Sequence, residues 1–301
     1  MPGGQERVLR RRIKSVQSTK KITKAMELIA ASRIVRSQQR VLAARPYSEQ
    51  ILNVLHHLST GGAGSASPLL QPVVDADVRA IAYVVVAGDR GLCGGYNANV
   101  IRAAESSMKR EKAAGREIVL ITVGKKVEAY FKFRRYEIAA AVNGTVDRPT
   151  YEDARKVAVE VLPRFVDGEV QRVQIVYTEF ISAGTQRVVE RRFLPIDPEA
   201  IGAGAEEGVH AGPTADYEYE PDPAEILDAL LPRYVEARLF GAMLSGSASF
   251  FAAQQRAMAA ASENADELIT KLTRERNRVR QDAITTEIME IVSGAEALSK
   301  S

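Results

Sequence analysis

The chain has 301 residues, a formal net charge of +3 and 46% hydrophobic residues, which excludes a chain that is disordered throughout or strongly basic overall. Its single cysteine, Cys93, excludes an internal disulfide and a cysteine-based metal cluster. No apolar run approaches the roughly 20 residues that span a bilayer. The arginine-rich N-terminus also lacks the apolar core of a secretory signal, so we expect no signal peptide.

The first predicted element is a long basic helix over about residues 5–45. This stretch contains neither Pro nor Gly, and its apolar residues recur at spacings of four and three. Pro46 should kink or interrupt the helix, which would continue over 51–58 and end in the glycine- and serine-rich 61–67. The net charge of residues 5–45 is about +10. We therefore expect an acidic partner beside this helix, and a solvated helix face is the alternative.

From residue 79 onwards, β-rich runs alternate with helical stretches. The run AIAYVVVA at 80–87 predicts a strand that is buried on both faces. Strand-helix alternation with short connections predicts a small, mostly parallel, Rossmann-like α/β domain over 77–196. The elements predicted in this domain are strands at 80–87, 117–123, 138–142, 173–179 and 187–195, and helices at 97–114, 125–132 and 150–162.

The ends of the helix at 150–162 carry their own signals. Thr150 is followed three residues later by Asp153, which predicts an approximate capping box at the N-terminus. Pro163 should stop the helix, because proline lacks the backbone N–H of a helix interior.

The last predicted element is a very long helix over about 224–299, since no proline follows Pro232. Apolar residues recur every seven positions from Leu244 to Val279, and then at spacings of four and three to Leu298, which is the pattern of a coiled-coil seam. At 1.5 Å per residue this helix would be on the order of 110 Å long. It needs another helix to pack against, and we expect it to pair antiparallel with the first helix because the two flank one domain.

Seven small residues within 241–249 make one section of the last helix thin. Small residues let two backbones approach closely, so we expect close contact with the first helix there. The predicted organisation is a coiled-coil helix at 1–60, a linker at 61–76, the α/β domain at 77–196, a loop at 197–222 and a second coiled-coil helix at 223–301.

The glycine-rich stretch 88–97 follows a strand and opens a helix, as nucleotide-binding loops do. The spacing does not fit, since a dinucleotide fingerprint from Gly88 would need glycine at Arg90 and Cys93. A tight structural turn is therefore favoured over a ligand site. Cys93 has no histidine nearby, which disfavours a nucleophilic role. We predict no catalytic residue, no cofactor and no metal site.

The basic first helix leaves one alternative of another class open, a basic coiled-coil protein that binds nucleic acid or another acidic partner. Basic-region zipper proteins carry the basic stretch and the zipper on one helix, whereas here they lie at opposite ends of the chain. Aromatic residues, which single-strand binding proteins interleave with basic ones, are absent from 5–45. We therefore predict no nucleic-acid partner. A nucleotide-binding enzyme is the third hypothesis, and it depends on the glycine turn alone.

Three passages together resemble the gamma subunit, the central rotor shaft, of F-type ATP synthases. They are RIKSVQSTKKITKAMELIAASR at 12–33, DRGLCGGYN at 89–97 and ITTEIMEIVSGA at 284–295, and YEYEPDP at 217–223 fits the same family. The resemblance covers essentially the whole chain.

The resemblance implies a rotor that does no bond chemistry of its own. In this family the antiparallel coiled coil stands inside a ring of alpha and beta subunits. The α/β domain sits on the c-subunit ring and binds the epsilon subunit, and rotation couples the proton gradient to ATP synthesis or hydrolysis. The protein would be peripheral, at the cytoplasmic face of a bacterial plasma membrane, and would reach the membrane only through the c-ring.

The resemblance also implies roles for particular residues. One departure is Asp282, which stands where the family usually has alanine. The positions that match beta-subunit contacts are Lys21, Lys24, Met26, Arg280, Gln281, Thr285 and Glu287, and those that match the c-ring and epsilon foot are Tyr217, Glu218, Tyr219 and Glu220.

Overall fold

The structure, a computed structural model, describes residues 2–60, 67–197, 220 and 222–299. The chain forms two compact units. Residues 1–30 with 255–301 form one, which we call the helical unit, and residues 31–254 form the other, which we call the central unit. Most of the predicted loop at 197–222 lies outside the described residues.

The central unit contains a five-stranded sheet with the strand order β3-β2-β1-β4-β5. Strands β1 to β4 pair in parallel, and β5 pairs antiparallel with β4. The predicted mostly parallel α/β fold is therefore confirmed. The elements of the chain are α1 (Pro2–Thr60), β1 (Ala80–Val86), α2 (Tyr96–Ala113), β2 (Glu117–Val123), α3 (Lys125–Phe133), β3 (Ala140–Val142), α4 (Tyr151–Val166), β4 (Arg172–Phe180), β5 (Gln186–Leu194) and α5 (Pro223–Ser299).

Strand β1 lies at the centre of the sheet, and all seven of its residues are buried. Successive side chains of a strand point to opposite faces, so β1 contributes to two separate apolar clusters. Val84 lies in a cluster with α4, the C-terminal part of α1 and the first turns of α5. Tyr83 lies in the other, with α2, α3 and Phe250 of α5. Both faces of the sheet are covered, which is why β1 reads as a continuous apolar run rather than an alternating one.

Helix α4 confirms one local prediction and corrects another. The Thr150 hydroxyl accepts from the Asp153 backbone N–H at 3.3 Å, and the Asp153 carboxylate accepts from the Thr150 N–H at 3.0 Å, so the capping box is complete. The predicted stop at Pro163 is wrong, since the helix continues to Val166. Phe165, beyond the proline, is buried in the core, and this packing holds the last turn in place.

Pro46 does not interrupt α1, which is continuous from Pro2 to Thr60, and the kink expected there stays a prediction. Packing beyond the proline offsets the hydrogen bond that proline cannot make. Leu55 and Leu58 are fully buried, and the ring of Tyr47 packs edge-on against Tyr151 at a centroid distance of 6.4 Å.

The two helices pair antiparallel in the helical unit, as predicted. Ile13 of α1 packs with Leu272 of α5 in a small apolar cluster. Ten residues further along α1, the hydroxyl of Thr23 shares a hydrogen bond with that of Ser262 at 2.8 Å. The position on α5 falls as the position on α1 rises, which is the antiparallel register.

The heptad pattern of α5 predicts burial well over much of its length. Leu244, Phe251, Met258, Ala265 and Leu272 are each no more than 8% exposed. Beyond this point the pattern no longer coincides with burial. The side chains at the expected continuation of the seam, Ile284, Ile288 and Ile291, are 48%, 54% and 71% exposed.

Candidate interaction surfaces and the glycine turn

Asp89 links three loops at the carboxyl ends of the parallel strands. Its Oδ1 accepts from the backbone N–H of Lys125 at 3.0 Å and of Gly144 at 2.9 Å. Its Oδ2 accepts from the N–H of Val146 at 3.2 Å. The carboxylate therefore ties the loop after β1 to the start of α3 and to the loop after β3.

Asn97 closes the glycine turn from its other end. Its Oδ1 accepts from the Gly88 N–H at 2.7 Å, and its Nδ2 donates to the Arg90 carbonyl at 2.9 Å. A Cβ on Gly88 would lie 2.8 Å from Asn97 Oδ1, so this close approach requires glycine. The predicted structural turn thus has a physical basis in these contacts.

Cys93 lies inside the same turn and is buried. Asn97 Nδ2 donates to its Sγ at 3.3 Å. Burial raises the pKa of the Cys93 thiol, which disfavours the thiolate that a nucleophile would need. Burial and the raised pKa therefore disfavour a nucleophilic role for Cys93, as the sequence does.

Helix α5 covers the place where open α/β sheets usually bind ligands, the carboxyl ends of the strands at which the strand order reverses. In this sheet those strands are β1 and β4. The Phe180 N–H at the end of β4 donates to Ser245 Oγ at 2.7 Å, and Ser249 Oγ donates to the Thr178 carbonyl at 3.1 Å. The crevice that a nucleotide would occupy therefore holds the backbone and short side chains of α5.

The thin section of α5 packs against the sheet and α2. The close contact with the first helix that the sequence predicted for this section stays a prediction. Tyr96 donates its hydroxyl to the Gly246 carbonyl at 2.9 Å. A Cβ on Gly246 would lie 3.4 Å from that hydroxyl and 3.7 Å from Val86. The small residues fit α5 into the sheet edge.

The residues that match beta-subunit contacts lie on the helical unit. Their surface positions leave them available to a partner, and the contacts themselves stay a prediction. Lys24 forms an ion pair with Glu27 at 3.0 Å on the same helix face, and Met26 is partly buried. Exposed side chains are found at Lys21, Lys24, Arg280, Gln281, Thr285 and Glu287.

Of the predicted foot residues, only Glu220 is described, and it is exposed. Tyr217, Glu218 and Tyr219 lie outside the described residues. Asp282, the departure from the family pattern, is exposed and forms no ion pair within the described part of the chain.

A basic cluster in the central unit was missed by sequence reasoning. Asp147, in the loop after β3, forms ion pairs with Arg90 at 2.5 Å and with Arg33 of α1 at 3.5 Å. Arg148 follows it, and Arg40 of α1 donates to the Pro149 carbonyl. The α1 arginines were seen only as a charged face, because nothing in the sequence shows that a loop some 110 positions away meets them.

Two absences concern the described residues alone. Within 2–60, 67–197 and 222–299, no group of three or more His, Cys, Asp or Glu side chains could hold a metal ion. None of the helices described combines the length and apolar character required to cross a membrane.

Comparison with known proteins gives consistent results over nearly the full length. A family model described as ATP synthase matches residues 5–298. The ATP synthase gamma chain of a Parafrankia species is 44% identical over 302 residues, which covers 98% of each chain. The gamma chain of Mycolicibacterium smegmatis is 44% identical over 309 residues, again with 98% of each chain covered.

Solved structures match the fold at lower sequence identity. The rotor of the Euglena gracilis mitochondrial ATP synthase matches with a TM-score of 0.65 and 18% identity, covering 94% of this chain and 99% of that chain. The central stalk and c-ring structure of the Tetrahymena thermophila enzyme contains a chain that matches with a TM-score of 0.58 and 21% identity, covering 80% and 99%.

An α/β domain inserted between two long helices, with their far portions paired antiparallel, is the fold of the central-stalk class of proteins. The sequence relatives narrow this class to one family. The chain belongs to the ATP synthase gamma chain family.

Proposed function

We propose that this chain is the central-stalk rotor of a proton-translocating F-type ATP synthase. It transmits rotation between the c-ring and the catalytic ring of alpha and beta subunits, and so couples the proton gradient to ATP synthesis or hydrolysis. It makes and breaks no bonds itself and uses no cofactor. Family membership over nearly the whole chain supports this function.

One structural observation carries the proposal, the exposed apolar stripe at the end of α5. Ile284, Ile288 and Ile291 lie at i, i+4 and i+7, so they share one helix face, and each is about half exposed or more. Val292 is 54% exposed beside them. Contiguous exposed apolar side chains mark a surface that a partner covers. A bearing formed by the alpha and beta subunits around this end of the shaft would cover it without specific polar contacts that resist rotation.

The basic face of α1 faces a partner of opposite charge in this proposal. Lys21 and Lys24 would lie against acidic segments of beta, and Met26 would pack beside them. Arg280, Gln281, Thr285 and Glu287 of α5 would engage a loop of beta from the other helix. Their exposure in the helical unit, with Met26 partly buried, supports this assignment.

The c-ring and the epsilon subunit would be contacted through Tyr217, Glu218, Tyr219 and Glu220. The chain would then reach the membrane only through the c-ring. Its bacterial relatives support a peripheral position at the cytoplasmic face of the plasma membrane.

Reconstitution tests the function directly. The purified chain is mixed with matching alpha and beta subunits, the complex is isolated, and a probe is attached to the α/β domain and followed while ATP is supplied. We expect sustained rotation in one direction. If an intact ring of alpha and beta fails to take up the chain, the rotor function is refuted and a basic coiled-coil protein with another acidic partner becomes the better hypothesis.

A further inference from the structure

The central unit has a concave basic pocket that the rotor function does not use. Its volume is about 660 Å³. Its walls come from one face of α1, from the loop between β3 and α4, and from Phe251 of α5. The charged residues that line it are Arg33, Arg36, Arg40, Asp147 and Arg148.

The charges in this pocket do not balance. Asp147 is its one carboxylate among the lining residues, and Arg90 and Arg33 already form ion pairs with that carboxylate. Within the described residues, Arg36 and Arg148 form no ion pair with a carboxylate. Burial and the positive charge of Arg148 both lower the pKa of Arg40, which shows that these cations repel one another. An anion in the pocket would relieve this repulsion.

Two of the arginines, Arg33 and Arg40, are also held in place before any ligand arrives. Arg36 and Arg40 are one helical turn apart on α1 and so project from the same face. Arg40 is fixed by its hydrogen bond to the Pro149 carbonyl. The guanidinium of Arg33 lies over the ring of Phe251, 5.3 Å from its centroid. Such preorganisation lowers the conformational entropy that ligand binding would otherwise cost.

The chemistry of the lining selects the ligand class. A guanidinium group is planar and can donate two parallel hydrogen bonds to two oxygens of one phosphate. Several guanidinium groups on different sides of a pocket therefore suit a ligand with more than one phosphate. We propose that this pocket binds a phosphate-class polyanion, either free pyrophosphate or the polyphosphate group of a nucleotide. Arg36 on α1 and Arg148 on the loop between β3 and α4 contact its phosphates, and the partly buried Arg40 supplies further positive charge. This site is independent of the rotor function.

Calorimetric titration of the full chain tests the site, with inorganic pyrophosphate and ADP as separate probes at constant ionic strength. We expect saturable binding of one pyrophosphate per chain. Arg36→Gln and Arg148→Gln should each weaken it by about tenfold. Arg36→Lys should weaken it as well, because lysine keeps the charge but loses the fork. Tighter binding of ADP than of pyrophosphate would identify a nucleotide as the source of the phosphates, and equal binding would show that the diphosphate group suffices.

Arg12→Gln is the matched control, since Arg12 is an exposed arginine of the same helix outside this pocket. It should change the affinity by less than about twofold. Both test arginines are exposed, so their variants should fold, and thermal melts followed by circular dichroism check this. Equal weakening in Arg12→Gln would overturn the site in favour of diffuse ion condensation. Tighter binding of a glutamate-rich peptide than of pyrophosphate would overturn it in favour of an acidic protein segment.

Discussion

Asp89 is the residue on which the loops at the carboxyl ends of the strands depend. We predict that Asp89→Asn lowers the free energy of unfolding by about 1–3 kcal/mol. Asparagine has one carbonyl oxygen, and its amide nitrogen cannot accept the N–H bonds now shared by Lys125, Gly144 and Val146. Urea denaturation of the full chain measures the change. Asp228→Asn, at an exposed site, is the control and should fall within about 0.5 kcal/mol of the wild type, and an equal loss in both variants would contradict the proposed role.

Tyr83 gives a prediction about alkaline pH. Burial raises the pKa of Tyr83 to about 12, and its hydroxyl shares a hydrogen bond with Ser107 at 2.8 Å. In the unfolded chain the pKa is about 10, so between pH 10 and 12 the unfolded state loses the proton while the folded state keeps it. The contribution of the protonated Tyr83 to the free energy of unfolding is thus fully present below pH 10, and it is lost as the pH rises from 10 to 12.

The variant Tyr83→Phe removes this group from the titration. We expect the fall in unfolding free energy between pH 10 and 12 to be shallower by roughly 1–2 kcal/mol than in the wild type. Urea denaturation at a series of pH values measures it, and the values below pH 9 give the separate cost of the lost hydrogen bond. An unchanged slope would show that Tyr83 does not resist ionisation in the folded protein.

At the scale of single residues, sequence reasoning succeeded where partners are close in the chain. The capping box of Thr150 and Asp153 was predictable because the two residues are three positions apart. The role of Asp89 was not, because Lys125 and Gly144 are 36 and 55 positions away. The basic pocket, including Arg148, was not predicted either, because its residues are far apart in the sequence.

Helix α5 is the element whose packing most depends on small residues. We predict that Gly246→Val lowers the unfolding free energy by about 1–3 kcal/mol, because the branched side chain meets the Tyr96 hydroxyl and Val86. Gly241→Val is the matched control on the same helix, where an added Cβ has no neighbour within 4 Å. The control should be neutral or slightly stabilising, since valine favours a helix more than glycine does. Thermal melts of both variants measure the change, and equal losses would mean that the contacts of position 246 with Tyr96 and Val86 are not responsible.

The spacing of apolar residues predicted the helices and strands well, whereas proline residues predicted the ends of helices poorly. The strands and helices of the central unit follow from apolar runs and helical spacing, which local chemistry determines. Pro46 and Pro163 do not end their helices, although an interruption was one expectation at Pro46 and a stop was expected at Pro163. Proline acts through one lost hydrogen bond, and burial of side chains beyond it, such as Phe165, outweighs that loss. Such tertiary packing is not visible in a local pattern.

At the scale of the whole molecule, the heptad of α5 predicted the buried seam as far as Leu272. The same pattern continues through Ile284 to Ile291, where the side chains are exposed. The two stretches share one periodicity, because a helix face that packs on α1 and a face that would pack on another subunit require the same residues. The structure shows which stretch is buried and which is exposed.

In the proposed function, the coupling of rotation to proton flow depends on the surface that the helical unit would present to beta. Met26 is partly buried and follows the exposed Lys21 and Lys24 on α1, so Met26→Glu introduces a negative charge where the proposal places acidic segments of beta. Like charges repel there, and we predict that proton pumping per ATP hydrolysed falls by about twofold or more while the complex still assembles. The measurement compares ATP hydrolysis with acidification in vesicles that contain the reconstituted enzyme.

Met26→Gln is the control, because glutamine has nearly the same size as glutamate without the charge, and this variant should couple almost as the wild type does. Normal coupling in Met26→Glu would remove Met26 from the rotor's contact with beta, whereas failure in both variants would assign the effect to packing within the coiled coil rather than to charge.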